Sequence, residues 1–356
     1  MRSSAIRFIG HALPETILSY EDLEARFGAK PVASIAKMSG VRNRRVVAPG
    51  QCASDLAFHA CRRLLDHAGL GPDDVDLLVF ASQTPDYRTP ATATVLHGRL
   101  GLHEECCAFD INQACTSSLH AWAVAHSMLV AGTAQRALVI NADAITQLIH
   151  PMDRGLVPLH GDAAAVCIME AVDSDPGTGF EFFEFGTAGA QFDRLLVPAG
   201  GARAPADHHT AIEVTDEAGC VRTRNHLYMD GPAIFHFSMY KVTDFLKELL
   251  KRHGLEVSSF DTVLLHQANR TMVDLVYKSL RVPVEKRYYY LEDNGNSSGA
   301  SLPSLLSEAW RTGFVKPGSR TLLCAFGGGL SWGAASIRWA SNASAGVPGS
   351  LYVAAE

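Results

Sequence analysis

The sequence contains no Cys-x-x-Cys pair and no cysteine–histidine cluster with zinc-ligand spacing, which leaves no structural metal site. No apolar run approaches the roughly 18–20 residues that span a bilayer. The opening Met1-Arg2-Ser3-Ser4 and the short strand-like stretch after it lack the apolar core of a secretory leader. Charge is sparse and its balance is acidic: 19% of the 356 residues are charged, for a net charge of −6. Phosphate backbones and anionic lipid surfaces do not attract such a chain, so neither nucleic acid nor membrane is expected as a partner. The eight cysteines (52, 61, 106, 107, 115, 167, 220 and 324) read as thiols in a reducing cytoplasm, most of them small buried hydrophobes.

What is present is an alternation of helix-like and strand-like stretches, the pattern of α/β layers. Leu56, Ala60, Leu64 and Ala68 recur every four residues along a helix over 53–68 that Gly69 ends, and the strand Val75–Ala81 follows. The second half repeats the plan with a helix over Val242–His253, Gly254 as its stop, and the strand Thr262–Leu265. Gly69-Leu70 and Gly254-Leu255 each precede an aspartate (Asp76, Asp261) by the same interval. Phe109, Cys115 and Gly132 likewise match Tyr290, Asn296 and Gly313, each set ahead of an apolar strand (Ala137–Ile140, Thr321–Cys324). Both matches in one order predict an internal duplication, with Cys115 and Asn296 facing each other across a pseudo-twofold axis.

Three residues carry chemistry. Cys115 lies in Asn112-Gln113-Ala114-Cys115-Thr116-Ser117-Ser118, ahead of a helix over Leu119–Ala131 that is apolar nearly all round. The helix dipole there favours a thiolate nucleophile, and burial would shield a thioester, although a structural cysteine fits the local pattern equally well. His266 ends an apolar strand in His266-Gln267-Ala268-Asn269, at the rim where α/β sites form, or it is a hydrogen-bonded core histidine. Asn296, in Asp293-Asn294-Gly295-Asn296-Ser297-Ser298-Gly299, sits in a stretch whose composition also suits a plain turn. Phe326-Gly327-Gly328-Gly329 lacks the lysine of a phosphate loop and suits close approach of backbone to a substrate. Neutral His and Asn side chains can both donate to one carbonyl oxygen, which stabilises an enolate such as forms when a malonyl thioester loses carbon dioxide. Backbone N–H groups of Cys115 and of the glycine loop could hold the tetrahedral oxyanion. A cysteine protease would use the same residue types, with His as base and Asn orienting it.

At these motifs, and at Asp153-Arg154-Gly155, Gly161-Asp162 and Trp332-Gly333, residues 5–340 resemble the β-ketoacyl-ACP synthase III family of condensing enzymes, within the thiolase superfamily. The resemblance implies condensation rather than proteolysis. It implies a thiolase-like five-layered αβαβα fold built from two duplicated halves, 1–175 and 176–340, and a homodimer. No cofactor is implied, since the acyl-CoA or acyl-ACP and malonyl thioesters are substrates and acyl carrier protein is the partner. Carried over, Cys115 is the acylated nucleophile, His266 and Asn296 are the donors to the extender carbonyl, and Gly328 is the backbone oxyanion partner of Cys115. Gly231, Phe235 and Asn269 align with the pantetheine tunnel, and Arg154 with the nucleotide end of coenzyme A.

The chain also departs from the family. Ser34 stands where initiation enzymes stack a tryptophan on adenine, Met38 replaces a basic residue, and Thr271 replaces an arginine beside Arg270. Losing a ring and two charges weakens free-cofactor binding by on the order of a few kcal/mol, so that either acyl groups arrive on a carrier protein or coenzyme A sits differently. Thr89, before Pro90, replaces a bulky Phe that reaches across the dimer in acetyl-specific members, so a longer or branched acyl group is expected. The extension 341–356 matches no family element and reads as a tail. Fatty-acid initiation and a specialised polyketide, quinolone, pyrone or resorcinol route are both compatible, and Ser34 and Met38 tilt toward the latter. Two alternatives remain at this level. One is acyl transfer from a carrier protein to a hydroxyl or amine without decarboxylation, and the other is a non-catalytic partner of an active synthase.

Overall fold

Strands that are apolar at every position must be covered on both faces, and this chain covers them with three layers of helix around two sheets. The computed structural model describes residues 2–173, 178–340 and 351–354. Strands β1 (Arg2–Pro14), β2 (Leu77–Ala81), β3 (Cys107–Ile111), β4 (Arg136–Asp143) and β5 (Ala163–Asp173) belong to the first sheet. Strands β6 (Gly179–Thr187), β7 (Thr262–Leu265), β8 (Arg320–Gly327) and β9 (Ser331–Arg338) form the second, and β10 (Leu351–Val353) returns to the first. Their orders are β10-β1-β5-β4-β2-β3 and β7-β8-β9-β6.

The helices are α1 (Tyr20–Phe27), α2 (Ala29–Ser39), α3 (Ala53–Ala68), α4 (Thr92–Leu100) and α5 (Ser117–Ala131) in the first half. Then come α6 (Gly231–Phe237), α7 (Thr243–Arg252), α8 (Arg270–Ser279) and α9 (Ser301–Arg311). Alternate residues of each strand serve opposite layers. Leu77 and Val79 pack inward with Trp122 of α5 and Leu305 of α9, while Leu78 and Phe80 pack outward on α3 and α4. In the second sheet Leu264 and Leu323 face the same central layer, and Val263 and Leu322 face α7 and α8. The result is the thiolase-like five-layered αβαβα arrangement expected from the resemblance.

The duplication is visible in the hydrogen bonds. Gly69 and Gly254 both adopt left-handed backbone (φ 67° and 61°) at the end of an outer helix. The aspartates that follow do the same work: Asp76 Oδ2 accepts the Arg136 N–H at 2.9 Å and Asp261 Oδ2 accepts the Arg320 N–H at 2.7 Å. Each tie fixes β4 beside β2, or β8 beside β7. The second spacing match, by contrast, does not mark equivalent positions. Both central helices are entered through one 3₁₀ turn, Ala114–Thr116 before α5 and Ser298–Ala300 before α9, and each turn opens on a left-handed residue (Ala114 φ 46°, Ser298 φ 51°). Cys115 therefore corresponds to Gly299, and Asn296 lies in the loop ahead of the turn. A longer entering loop and a shorter helix (11 residues against 15) offset one another in the count.

Within the 341–356 extension, the described residues 351–354 are structured and not a free tail. β10 pairs in parallel with the edge of β1, and Val353 is buried. Glu15 N–H donates to Val353 O at 3.0 Å and Gln51 Nε2 to Ala354 O at 3.1 Å, while the Arg45 guanidinium lies 4.2 Å from the Tyr352 ring centroid. Residues 341–350, like the expected division at 175–176, lie outside the described residues. Ending the chain at Ala340 should cost about 2–4 kcal/mol, from a few ladder bonds and one buried valine, read as a lower urea midpoint.

Candidate active site

Cys115 is placed by the 3₁₀ turn between β3 and α5 and is buried. The end of β8 leaves room for its sulfur, because a Cβ on Gly327 would stand 2.6 Å from Sγ. Ser331 Oγ donates to Gly328 O at 2.8 Å and shares a hydrogen bond with Thr116 Oγ1 at 3.0 Å, holding the glycine turn against the helix entrance. Burial pushes the Cys115 thiol above its ordinary range. The Ser298 hydroxyl, 3.6 Å from Sγ, pulls it back, the Asp143 carboxylate adds to the rise, and the N–H groups of Gly328 and Cys115 lower it. Burial thus opposes the thiolate that the helix dipole was expected to favour. The α-helix proper begins only at Ser117, two residues after the thiol.

His266 follows β7 directly, its N–H donating to Cys324 O at 2.8 Å, and its ring packs edge-on to Phe326 with 5.8 Å between centroids. Its Nδ1 is buried without a hydrogen-bond partner. Burial, reinforced by nearby His160, lowers its pKa to about 3, so the imidazole is neutral at physiological pH. Asn296 is pinned on both sides of its peptide: its N–H donates to Leu159 O at 2.9 Å, and its carbonyl accepts from Gly161 N–H at 3.2 Å. A Cβ at Gly161 would meet Asn294 O at 2.0 Å, and Asp162 accepts the N–H groups of Val47 and Thr146, both at 2.9 Å. Gly161 therefore serves the Asn296 loop, while Asp162 ties the Val47 and Thr146 segments together. The Asn296 Oδ1 is occupied by Ser298 N–H at 2.9 Å, whereas its amide nitrogen has only a long 3.4 Å contact to Ala268 O. The side chain is thus oriented as a donor.

The remaining expected residues scatter more widely. Gly328 lies at Cys115 as expected, its N–H against the sulfur. Gly231 opens α6 with nothing within 4 Å of where a Cβ would be, and Phe235 is half-buried on the same helix. Asn269 is the N-cap of α8, its Oδ1 accepting Met272 N–H at 2.8 Å, so at least that oxygen has a structural task. Arg154 packs beside Gly219, and it is Arg222 that pairs with buried Asp153, at 2.9 Å. Ser34 and Met38 are exposed on α2. Arg270 is committed to Asp274 at 3.0 Å and to the face of Tyr289 at 3.5 Å, so it does not replace the charge missing at Thr271. Thr89 is exposed and does not line the cavity beside Cys115 within one chain. That cavity, about 370 Å³, runs from Ala114 and Gly328 along Leu148, Leu195, Val197 and Leu227.

Asp143, Ser298, Gln83 and Gly327 escaped the sequence reading. Asp143 ends an apolar strand just as His266 does, a signal that was available. Ser298 and Gly327 stood inside stretches already singled out, but nothing local separates them from turn-formers.

A buried thiol at a central-helix entrance, two neutral donors at the opposing half's rim and a five-layered duplicated fold define a thiolase-like condensing enzyme. Two family models match, 3-Oxoacyl-[acyl-carrier-protein (ACP)] synthase III over residues 109–189 and its C-terminal counterpart over 250–339. The β-ketoacyl-[acyl-carrier-protein] synthase III of Rhodopirellula baltica is 35% identical over 346 residues, covering 93% of this chain and 96% of that one. A crystal structure of a 3-oxoacyl-(acyl-carrier-protein) synthase III superposes with a TM-score of 0.92 at 33% identity, covering 95% of this chain and all of that one. The priming β-ketosynthase of the R1128 polyketide pathway superposes at 0.82 with 27% identity, covering 95% of this chain and 96% of that one. The chain belongs to the β-ketoacyl-ACP synthase III family of acyltransferase-class condensing enzymes.

Proposed function

We propose that this enzyme loads an acyl group onto Cys115 and joins it, with loss of carbon dioxide, to a malonyl- or β-ketoacyl-type thioester. The observation that carries this reading is the Asn296 amide, held with its oxygen on Ser298 N–H and its nitrogen left to donate, in the same site as a neutral His266. Decarboxylation leaves an enolate oxygen, and two neutral donors stabilise that charge without first binding it in the substrate. The enolate carbon then attacks the Cys115 thioester, and the N–H groups of Gly328 and Cys115 take the resulting oxyanion. Thiolate is released on collapse. Transfer to an alcohol or amine would need no such donor pair.

The cavity beside Cys115, lined by Leu148, Leu195, Val197 and Leu227 together with Gln83, Asn112 and Gln113, is large enough for more than an acetyl group, and the small exposed Thr89 fits completion of that cavity by a second copy. The unpaired edge of β3 supports the same homodimer. Committed Arg270 and exposed Ser34 and Met38 favour carrier-protein over coenzyme A delivery. They also favour a specialised polyketide route over fatty-acid initiation. No step uses a resident cofactor, and eight unpaired cysteines suit a reducing cytoplasm. Among the described residues no helix is long and apolar enough to cross a membrane.

The test is incubation with acyl and malonyl thioesters while carbon dioxide and the condensed product are followed. Stoichiometric release with a new carbon–carbon bond is expected. Acyl transfer to an alcohol or amine with no carbon dioxide would contradict the reading. Decarboxylation should also be flat between pH 5 and 8 as far as His266 is concerned, because its pKa of about 3 leaves it neutral throughout. A protonation limb near 6.5 that disappears in His266→Gln would contradict that assignment.

A further inference from the structure

Asn112 and Gln113 stand just ahead of the nucleophile, and the condensing chemistry gives their side chains no task. The Gln113 backbone has one. Its carbonyl accepts Thr116 N–H at 3.1 Å and Thr116 Oγ1 at 2.9 Å, which closes the 3₁₀ turn that carries Cys115. Thr116 and Ser117, further along the same segment, use their side chains inside the protein: Thr116 Oγ1 meets Ser331 Oγ at 3.0 Å, and Ser117 Oγ accepts from Asn141 Nδ2 at 3.3 Å. The Asn112 and Gln113 amides differ. Among the described residues neither makes a hydrogen bond to the rest of the chain, so neither is needed to hold the turn.

Both amides line the cavity of about 370 Å³ that starts at Ala114 and Gly328 beside the thiol. Gln83 puts a third amide into the same lining. Its Nε2 donates to Ser298 Oγ and its backbone N–H donates to Asp143 Oδ1 at 2.7 Å, so this side chain is held in place with its oxygen left to accept. The rest of the lining is mainly aliphatic, with Leu148, Leu195, Val197 and Leu227. His266, Asn296, Phe235 and Asn269 do not line this cavity, which separates it from the space that the extender donors serve.

A wall of this mixed kind suits a particular cargo. A plain alkyl chain drawn into the cavity would strip water from the amides and return no hydrogen bond, a penalty for every polar group it covers. A hydroxyl or keto oxygen on the chain would replace that water. An aliphatic pocket alone separates a hydroxyl from a methyl group poorly, whereas a pocket built to hydrogen-bond an oxygen rejects the analogue that lacks it. We propose that Gln113, with Asn112 and Gln83, selects an acyl group that carries a hydrogen-bonding oxygen along an otherwise aliphatic chain. Gln113 is the main specificity-determining residue because it is half-buried, while Asn112 is exposed and stays better hydrated. Gln83 is already tied to Ser298 and contributes a fixed acceptor.

The selection rests on the proposed loading of Cys115 and names the class of cargo. Its test is the rate of acyl-adduct formation, followed by intact mass, with N-acetylcysteamine thioesters offered in pairs that exchange a hydroxyl for a methyl group. The pairs are 3-hydroxyhexanoyl against 3-methylhexanoyl, and 6-hydroxyhexanoyl against heptanoyl. In the parent chain at least one hydroxyl compound should load about tenfold faster than its methyl partner, the scale of one hydrogen bond in a site that water can still reach. Gln113→Met keeps the side-chain length and removes the amide. It should bring that ratio close to one, by slowing the hydroxyl compound and speeding the methyl compound, and Asn112→Leu should move the ratio less. The readout is a ratio within one protein, so a general loss of stability or activity does not imitate it.

A parent chain that loads the methyl compound as fast as its hydroxyl partner in both pairs overturns the selection. So does a Gln113→Met chain that keeps the full preference. Should Gln113→Met not fold, the parent ratios decide alone. A parent chain that none of the four thioesters labels would overturn the selection together with the acyl-carrier reading, whereas labelling without preference overturns the selection and leaves that reading standing.

Discussion

Asn296→Ala is expected to leave acylation of Cys115 within a few-fold of the parent rate and to lower malonyl-thioester decarboxylation about 10²–10³-fold, the loss that follows removal of one oxyanion donor. The two half-reactions separate because their hydrogen-bond donors differ. In the proposed mechanism acylation uses backbone N–H groups of Gly328 and Cys115, whereas decarboxylation uses the side chains of His266 and Asn296. His266→Ala should behave alike, and the double variant should fall short of the product of the two, because the donors act on one oxygen. Single-turnover acylation by mass and carbon dioxide release give the two rates. An Asn296→Ala chain that cannot be acylated would undo the division of roles. Asn296 Oδ1 also holds Ser298 N–H, so some slowing of acylation through the Ser298 turn beside Cys115 is expected, but not a hundredfold.

Gly327→Ala is expected to abolish acylation while costing only about 1–3 kcal/mol of stability, the range for overpacking a close-packed interior. The added methyl would stand 2.6 Å from Cys115 Sγ and 2.7 Å from its Cβ. Neither side yields easily: Gly327 ends an eight-residue central strand, and Cys115 sits in a turn anchored through Thr116 and Ser331. The sulfur must therefore rotate away from the backbone donors. Gly328→Ala is the internal comparison, with its Cβ 3.2 Å from Ala114 Cβ and no atom of Cys115 among its nearest neighbours, and it should acylate faster than Gly327→Ala. Equal acylation in the Gly327→Ala chain and the parent would show that the glycine is not required by the nucleophile.

Much of this was legible in the residues, for identifiable reasons. Helix α3 could be read to its ends because an apolar ladder and a terminal glycine are both local signals, and it spans Ala53–Ala68 as expected. The Gly-Leu…Asp repeat was legible because each aspartate performs one local task, tying the start of a neighbouring strand. The apparent Cys115–Asn296 equivalence misled because counting residues cannot see a lengthened loop offset by a shortened helix. The burial that opposes a Cys115 thiolate was not legible, because a dipole can be inferred from a helix whereas desolvation depends on what the rest of the chain lays over the sulfur. Asp143 and Ser298 were hidden for a similar reason, since they come from opposite halves and meet only in the fold. The role of Leu351–Val353 depends on pairing with β1 more than three hundred residues earlier, which no local pattern announces.

The central claim is that Cys115 carries the acyl group, and the intact mass of the protein after exposure to a panel of acyl thioesters tests it most directly. The account predicts a single acyl adduct that forms in the parent chain, persists in Asn296→Ala, and is absent in Cys115→Ala. An adduct that survives Cys115→Ala, or a parent chain that no acyl thioester labels, would contradict it.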